Sequence, residues 1–272
     1  MDFETLSEHE WSSVERVYDL LDQGEVESAR REIDTLLLSR PGHADLCMVD
    51  AAVRIEESDP EGALRTLVGA ERSADPSAFF HLRAVASYEL ARFEVAREDA
   101  LRAIAIQPGL AESHDLLSRI ADHVGNPDEA HEYAENAAAL DAEAFPLPLE
   151  VADARFDELV EACVKELPER VRRELDHVPV LVEPLPSREI LTAESPTLAP
   201  DILGLFVGRH LLDRSGADPP GTPGTIHLFR KNLLRSCRDE EELAREIRVT
   251  VQHEVGHLLG LDEDDLEEWG LA

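Results

Sequence analysis

Lysine is almost missing from this chain of 272 residues: Lys165 and Lys231 are the only two, and arginine supplies nearly all the positive charge. With 26 basic against 59 acidic side chains, the formal net charge is −33. Such a surface repels nucleic-acid backbones and anionic lipid headgroups, both of which recruit Lys and Arg, so neither nucleic acid nor a membrane surface is an expected partner. Long apolar runs are missing as well. No stretch approaches the ~20 apolar residues of a membrane span. The opening Met1-Asp2-Phe3-Glu4-Thr5 has neither the basic start nor the apolar segment of a secretory signal, and a soluble cytoplasmic protein is the expectation. Cysteine is scarce. Cys47, Cys163 and Cys237 are odd in number, far apart and without the paired spacing of a zinc knuckle or redox motif, so they read as free thiols in a reducing compartment. Tyrosine does not occur after Tyr133, which removes a common proton and hydrogen-bond donor from the second half of the chain.

What is present falls into two parts, in keeping with a length that accommodates about two domains. Up to Pro146, alanine and leucine recur at spacings of three and four, the signature of helices packed on one face. This part also repeats. Ala29, Ala63, Ala96 and Ala130 follow one another at intervals of 34, 33 and 34 residues, and Pro41, Asp75, Pro108 and Ala142 keep the same step. Turn signals fall inside the units at Asp22-Gln23-Gly24, Ser58-Asp59-Pro60 and Gly125-Asn126-Pro127. A period of 34 with a small residue inside the unit and a frequent terminal proline resembles tetratricopeptide repeats, over about residues 10 to 144 and roughly three and a half units. That resemblance implies helix hairpins that bury their apolar faces on one another, with a concave surface for a peptide or protein partner.

Pro146 and Pro148 stand too close together to lie inside one helix, so a boundary is placed there, with a repeat domain at 1–146 and a second domain at 147–272. Beyond it, Phe156, Leu159, Val160, Cys163 and Leu167 form a helical stripe that Pro168 interrupts, and Val171 and Leu175 continue in a second short helix. The period then changes. Residues 179–183, 204–208 and 225–229 read as short strands bounded by Pro and Gly, and 213–224 as a turn-rich exposed loop. The strand Thr225 to Phe229 is expected to offer an exposed edge on which an extended peptide could pair. A last helix begins at Asp239, its expected N-cap, with Glu242 completing a capping box.

That helix carries His253-Glu254-Val255-Gly256-His257. Histidines four apart sit one turn above each other, so both imidazoles can reach one cation, and Zn²⁺ favours nitrogen ligands of this kind. Glu254 is one residue further round, about 100° away, where its carboxylate serves an open coordination position instead of filling it. Gly260 can adopt a positive φ and end the helix in a sharp turn. Glu263 then stands where the His-Glu-x-x-His-x-x-Gly-x-x-ligand pattern supplies a third ligand, with Asp262 and Asp264 beside it as alternative carboxylates.

From about Phe156 to Leu271 the chain resembles a bacterial family of minimal zincins, small zinc metallopeptidases. The matching features are Phe156 to Val160, Val180 to Glu183, Leu203 to Phe206, Ile226 to Arg230, Leu234 to Arg238 and the block from His253 to Leu266. The resemblance implies a compact α+β zincin fold holding Zn²⁺ through His253, His257 and the carboxylate at 263, with Glu254 as general base. Zinc peptidases also place a donor beside the developing oxyanion. Without tyrosine the substitutes are His227, foremost, and His210 or Arg209; His177 has no constellation around it. Two further readings use the same residues: a protein-interaction scaffold whose zinc is structural or vestigial, and a hydrolase of non-peptide amides.

Overall fold

A computed structural model of the chain describes residues 5–175, 178–193, 195–208 and 224–260. Eight helices fill its first part among these residues: α1 (Glu8–Asp22), α2 (Val26–Ser39), α3 (Ala44–Glu56), α4 (Pro60–Ala70), α5 (Pro76–Glu89), α6 (Phe93–Ile106), α7 (Ala111–His123) and α8 (Pro127–Leu140). They make four hairpins, each closed by a turn of three residues, so the repeat runs through four units and not three and a half. The first hairpin begins at α1, whose buried face carries Val14 and Val17. Small residues recur where the helices meet. Ala29, Ala63, Ala96 and Ala130 are all buried, as is a second series, Val17, Ala51, Ala84 and Ser118, at the same spacing in the first helix of each pair.

The turns are built alike. Gly24, Ser58, Ala91 and Gly125 all have positive φ, at 73°, 58°, 51° and 79°. After each of them the next amide reaches back five residues, Glu25 to Leu20, Asp59 to Arg54, Arg92 to Ser87 and Asn126 to Ala121, at 2.8–2.9 Å. This is the Schellman closure, which satisfies carbonyls that the helix end leaves over. Three of the turns carry a Gly or Pro signal in the sequence; the turn at Ala91 carries none. Charged pairs tie successive hairpins. Arg30 of α2 bonds Asp50 of α3 and Glu57 beyond it. Burial opposes ionisation of the Asp50 carboxyl, but Arg30 and Arg54 outweigh it and hold that carboxyl below its usual value.

The second part contains α9 (Asp153–Glu166), α10 (Glu169–Leu175), β1 (Val180–Glu183), α11 (Arg188–Leu191), β2 (Gly204–Val207), β3 (Thr225–Phe229), α12 (Arg230–Ser236) and α13 (Glu240–Leu259). The strands lie in the order β1-β3-β2. β1 runs parallel to β3, with Val182 opposite Leu228, and β2 antiparallel, with Phe206 opposite Ile226. β3 is therefore central and paired on both sides, which overturns its assignment as the exposed edge: strand pattern fixes which residues are extended, while pairing order is settled by contacts distant in sequence. The outer antiparallel strand is β2. The core joins Phe156, Val160 and Cys163 of α9 to Ile226 and Leu228 of β3 and to Leu243, Ile247, Val251 and Val255 of α13.

Chain contacts group Met1–Pro146 with Leu191–Ala199 in one unit and Leu147–Ile190 with Pro200–Ala272 in another. The short segment Leu191–Ala199 thus departs from a single cut at Pro146. No helix among the described residues is long and apolar enough to cross a membrane.

Ala91 pays a steric penalty that Gly24 and Gly125 avoid, since a β-carbon in the left-handed region is unfavourable by about 1 kcal/mol. Ala91→Gly is expected to stabilise the protein by up to about 0.5 kcal/mol in urea denaturation, the gain being reduced by the greater freedom of glycine in the unfolded chain. Destabilisation by about 0.5 kcal/mol or more, the entropy cost of glycine alone, would show that the turn is not strained.

Candidate metal and catalytic site

α13 sets the site because it has two unlike faces. Asp239 caps it by accepting the Glu242 amide at 2.8 Å. The Glu242 carboxylate accepts from the Arg238 amide at 2.8 Å, one residue before the position a capping box requires. Asp239 is fully extended, with φ −150° and ψ 172°. Three glutamates in the first turn, Glu240 to Glu242, suit the positive end of the helix dipole. Leu243, Ile247, Thr250, Val251, Glu254, Val255 and Leu258 are buried, while His253 and His257 face outward. The helix stops at Gly260, whose φ of 71° and ψ of 30° place it in the left-handed region.

The two imidazoles converge. Their Nε2 atoms stand 3.0 Å apart, and the rings are nearly perpendicular, at 89°, with centroids separated by 4.5 Å. Two nitrogens bound at 2.0–2.1 Å to a tetrahedral Zn²⁺ would be about 3.3 Å apart, so the pair needs to open by only a few tenths of an ångström to hold the ion. Among the described residues no third His, Cys, Asp or Glu joins them. Glu263, the expected third ligand, and its neighbours Asp262 and Asp264 lie outside the described residues. The cysteines offer no substitute. All three are buried free thiols, and burial pushes the thiol of Cys163 up to about 11, far from the thiolate that a metal needs.

Glu254, one residue round the helix from His253, faces β2. The residue is 6 % exposed, and its carboxylate accepts a hydrogen bond of 2.6 Å from the Phe206 amide of β2. The direction of that amide follows from the sheet. Phe229 donates to the Leu203 carbonyl at 2.9 Å, and because antiparallel pairing alternates, Phe206 sits at a position whose N–H faces the outside of the sheet. Burial raises the pKa of Glu254, opposed by the Phe206 hydrogen bond and the nearby His253. The path of the chain into β2 is itself fixed, since the buried amide of Asn232 on α12 donates to the carbonyls of Pro200 and Ile202 at 2.9 and 2.8 Å.

The structure does not bring His227 to this group. Ile226 and Leu228 face α13 in the core, and alternation turns His227 to the opposite side of the sheet, where its Nδ1 meets Glu183 at 2.5 Å. Arg209, His210 and His177 lie outside the described residues. Sequence reasoning passed over Gly204 and Thr250, which meet at the junction of β2 and α13. The available signal was a glycine inside a strand, a mark of close backbone approach.

Comparison with known proteins adds a family. Residues 175–271 match the zincin-like metallopeptidase family, a span that contains His253, Glu254, His257 and Glu263. No curated protein matches the chain. Among solved structures, the chain is similar to MamA, at 18 % identity over 45 % of this chain and 72 % of that one, with a TM-score of 0.39. It is also similar to PilF of Pseudomonas aeruginosa, at 21 % identity over 61 % and 80 % of the respective chains, with a TM-score of 0.46.

If the converging imidazoles are ligands, replacing either His253 or His257 with Ala should weaken Zn²⁺ binding by more than about 100-fold in a chelator-competition titration. Undiminished affinity in both variants would place any bound zinc elsewhere.

Proposed function

We propose that the second unit, with its match to the zincin-like metallopeptidases, is a zinc-dependent peptidase in which His253, His257 and the carboxylate of Glu263 hold the metal and Glu254 is the general base. The observation that carries this reading is the division of labour on one helix: two imidazole nitrogens 3.0 Å apart on its exposed side, and beside them a buried carboxylate held by the Phe206 amide instead of lying between the two rings. When bound, Zn²⁺ lowers the pKa of a coordinated water towards ~7 and polarises the scissile carbonyl.

Glu254 would act as the general base, accepting a proton from the attacking water and returning it to the departing amine. The amide of Phe206 keeps the group oriented between transfers. An extended peptide would lie alongside β2, the outer strand next to Glu254, held by backbone hydrogen bonds. The repeat domain, residues 1–146, recruits a protein substrate or partner. Trp11 and Tyr18, seven residues apart on α1 and both partly exposed, are aromatic anchors of the kind on which protein recognition concentrates. A cytoplasmic location accords with three buried thiols that are free of disulfides.

Glu254→Gln is the decisive variant. Turnover of an unbiased peptide library should fall by roughly 100- to 10,000-fold while the metal content stays unchanged. Equal cleavage by wild type and variant, or no cleavage by a fully zinc-loaded wild type, would sink the peptidase reading and leave a scaffold with a structural zinc.

A further inference from the structure

A methyl group built at Gly204 would stand 2.6 Å from Cγ2 of Thr250, 3.2 Å from Cγ of Glu254 and 3.2 Å from the carbonyl oxygen of His227. The first distance is shorter than nonbonded carbons tolerate, and the other two leave no slack. Thr250 is itself buried and β-branched on a helix, where its side chain has only two common rotamers, so its methyl group has little room to move. The backbone of β2 would have to lift from α13. Two residues along the same strand is Phe206, whose amide holds the Glu254 carboxylate at 2.6 Å. A hydrogen bond between a backbone amide and a carboxylate weakens steeply once the strand moves outward.

We propose that Gly204 is a positioning residue for Glu254: the missing side chain lets β2 settle on α13 closely enough for the Phe206 amide to clamp the carboxylate beside the two histidines. The clamp makes the strand and the helix one device. The helix contributes the carboxylate, the strand contributes the donor, and the glycine and Thr250 set the gap between them. Its importance for turnover rests on the reading of Glu254 as general base, but the clamp is a property of the protein without metal and can be tested there.

The test follows hydrogen exchange and the chemical shift of the Phe206 amide by NMR, in the full-length zinc-free protein labelled with ¹⁵N-phenylalanine. In the wild type this amide should be protected and shifted downfield. Glu254→Ala should speed its exchange by about tenfold or more, whereas Glu254→Gln, which keeps an acceptor oxygen, should retain most of the protection. Gly204→Ala should expose the amide as Glu254→Ala does, and adding Thr250→Ala should restore protection by reopening the gap. Thr250→Ile, which fills the same gap from the helix side, should expose the amide without touching the glycine and decides the matter if Gly204→Ala does not fold. Exchange indifferent to Glu254→Ala, or unchanged by both Gly204→Ala and Thr250→Ile, would overturn the proposal. A Glu254→Gln protein that keeps both the protected amide and full cleavage would leave the clamp standing and remove the general base.

Discussion

The burial of α13 governs the second half of this protein. Its apolar stripe, from Leu243 through Ile247 and Val251 to Val255, is packed against α9 and the sheet, and that packing fixes the rotation of the helix about its own axis. Once the rotation is set, the helical repeat does the rest: residues 253 and 257 must share the outward face, and residue 254 must turn towards β2. Each fully buried aliphatic side chain in the stripe contributes on the order of 2 kcal/mol from water exclusion, so a change of rotation that disturbed the site would expose several of them at once. The geometry of the two imidazoles is thus protected by the core beneath them.

The sheet supplies what the helix cannot. The carboxylate of a residue as buried as Glu254 is costly to keep charged unless a donor meets it. On the far side of the same sheet, His227 has its own acidic neighbour in Glu183. The Glu254–Phe206 pair at the outer edge of β2 and the His227–Glu183 pair beyond β3 are therefore separate.

The repeats were legible because their logic is periodic: a small residue is needed wherever two helices meet, and that need recurs every 34 residues. The turn at Ala91 escaped notice because alanine does not advertise a positive φ; only its distance from Ser58 and Gly125 could have revealed it. The histidine pair was legible for a related reason, since a spacing of four on a helix is a local property that no tertiary contact can alter. Sheet order was not, and neither was the partner of Glu254, an amide 48 residues away in the chain whose direction depends on how β2 pairs. His227 illustrates the same limit. Its place in a strand was readable, but the side of the sheet it occupies depends on which neighbours are buried. Gly204 stood in plain view as a glycine within a strand, yet its meaning required the helix that lies against it.

The central claim is that one turn of α13 presents two imidazoles to a single zinc ion, with carboxylate and water completing the shell. X-ray absorption at the zinc edge of the metal-loaded protein measures that shell directly. The account predicts four light-atom ligands at about 2.0–2.1 Å, with the outer-shell scattering of two imidazoles and no sulfur. A zinc–sulfur distance near 2.3 Å, or a shell without imidazole, would contradict it.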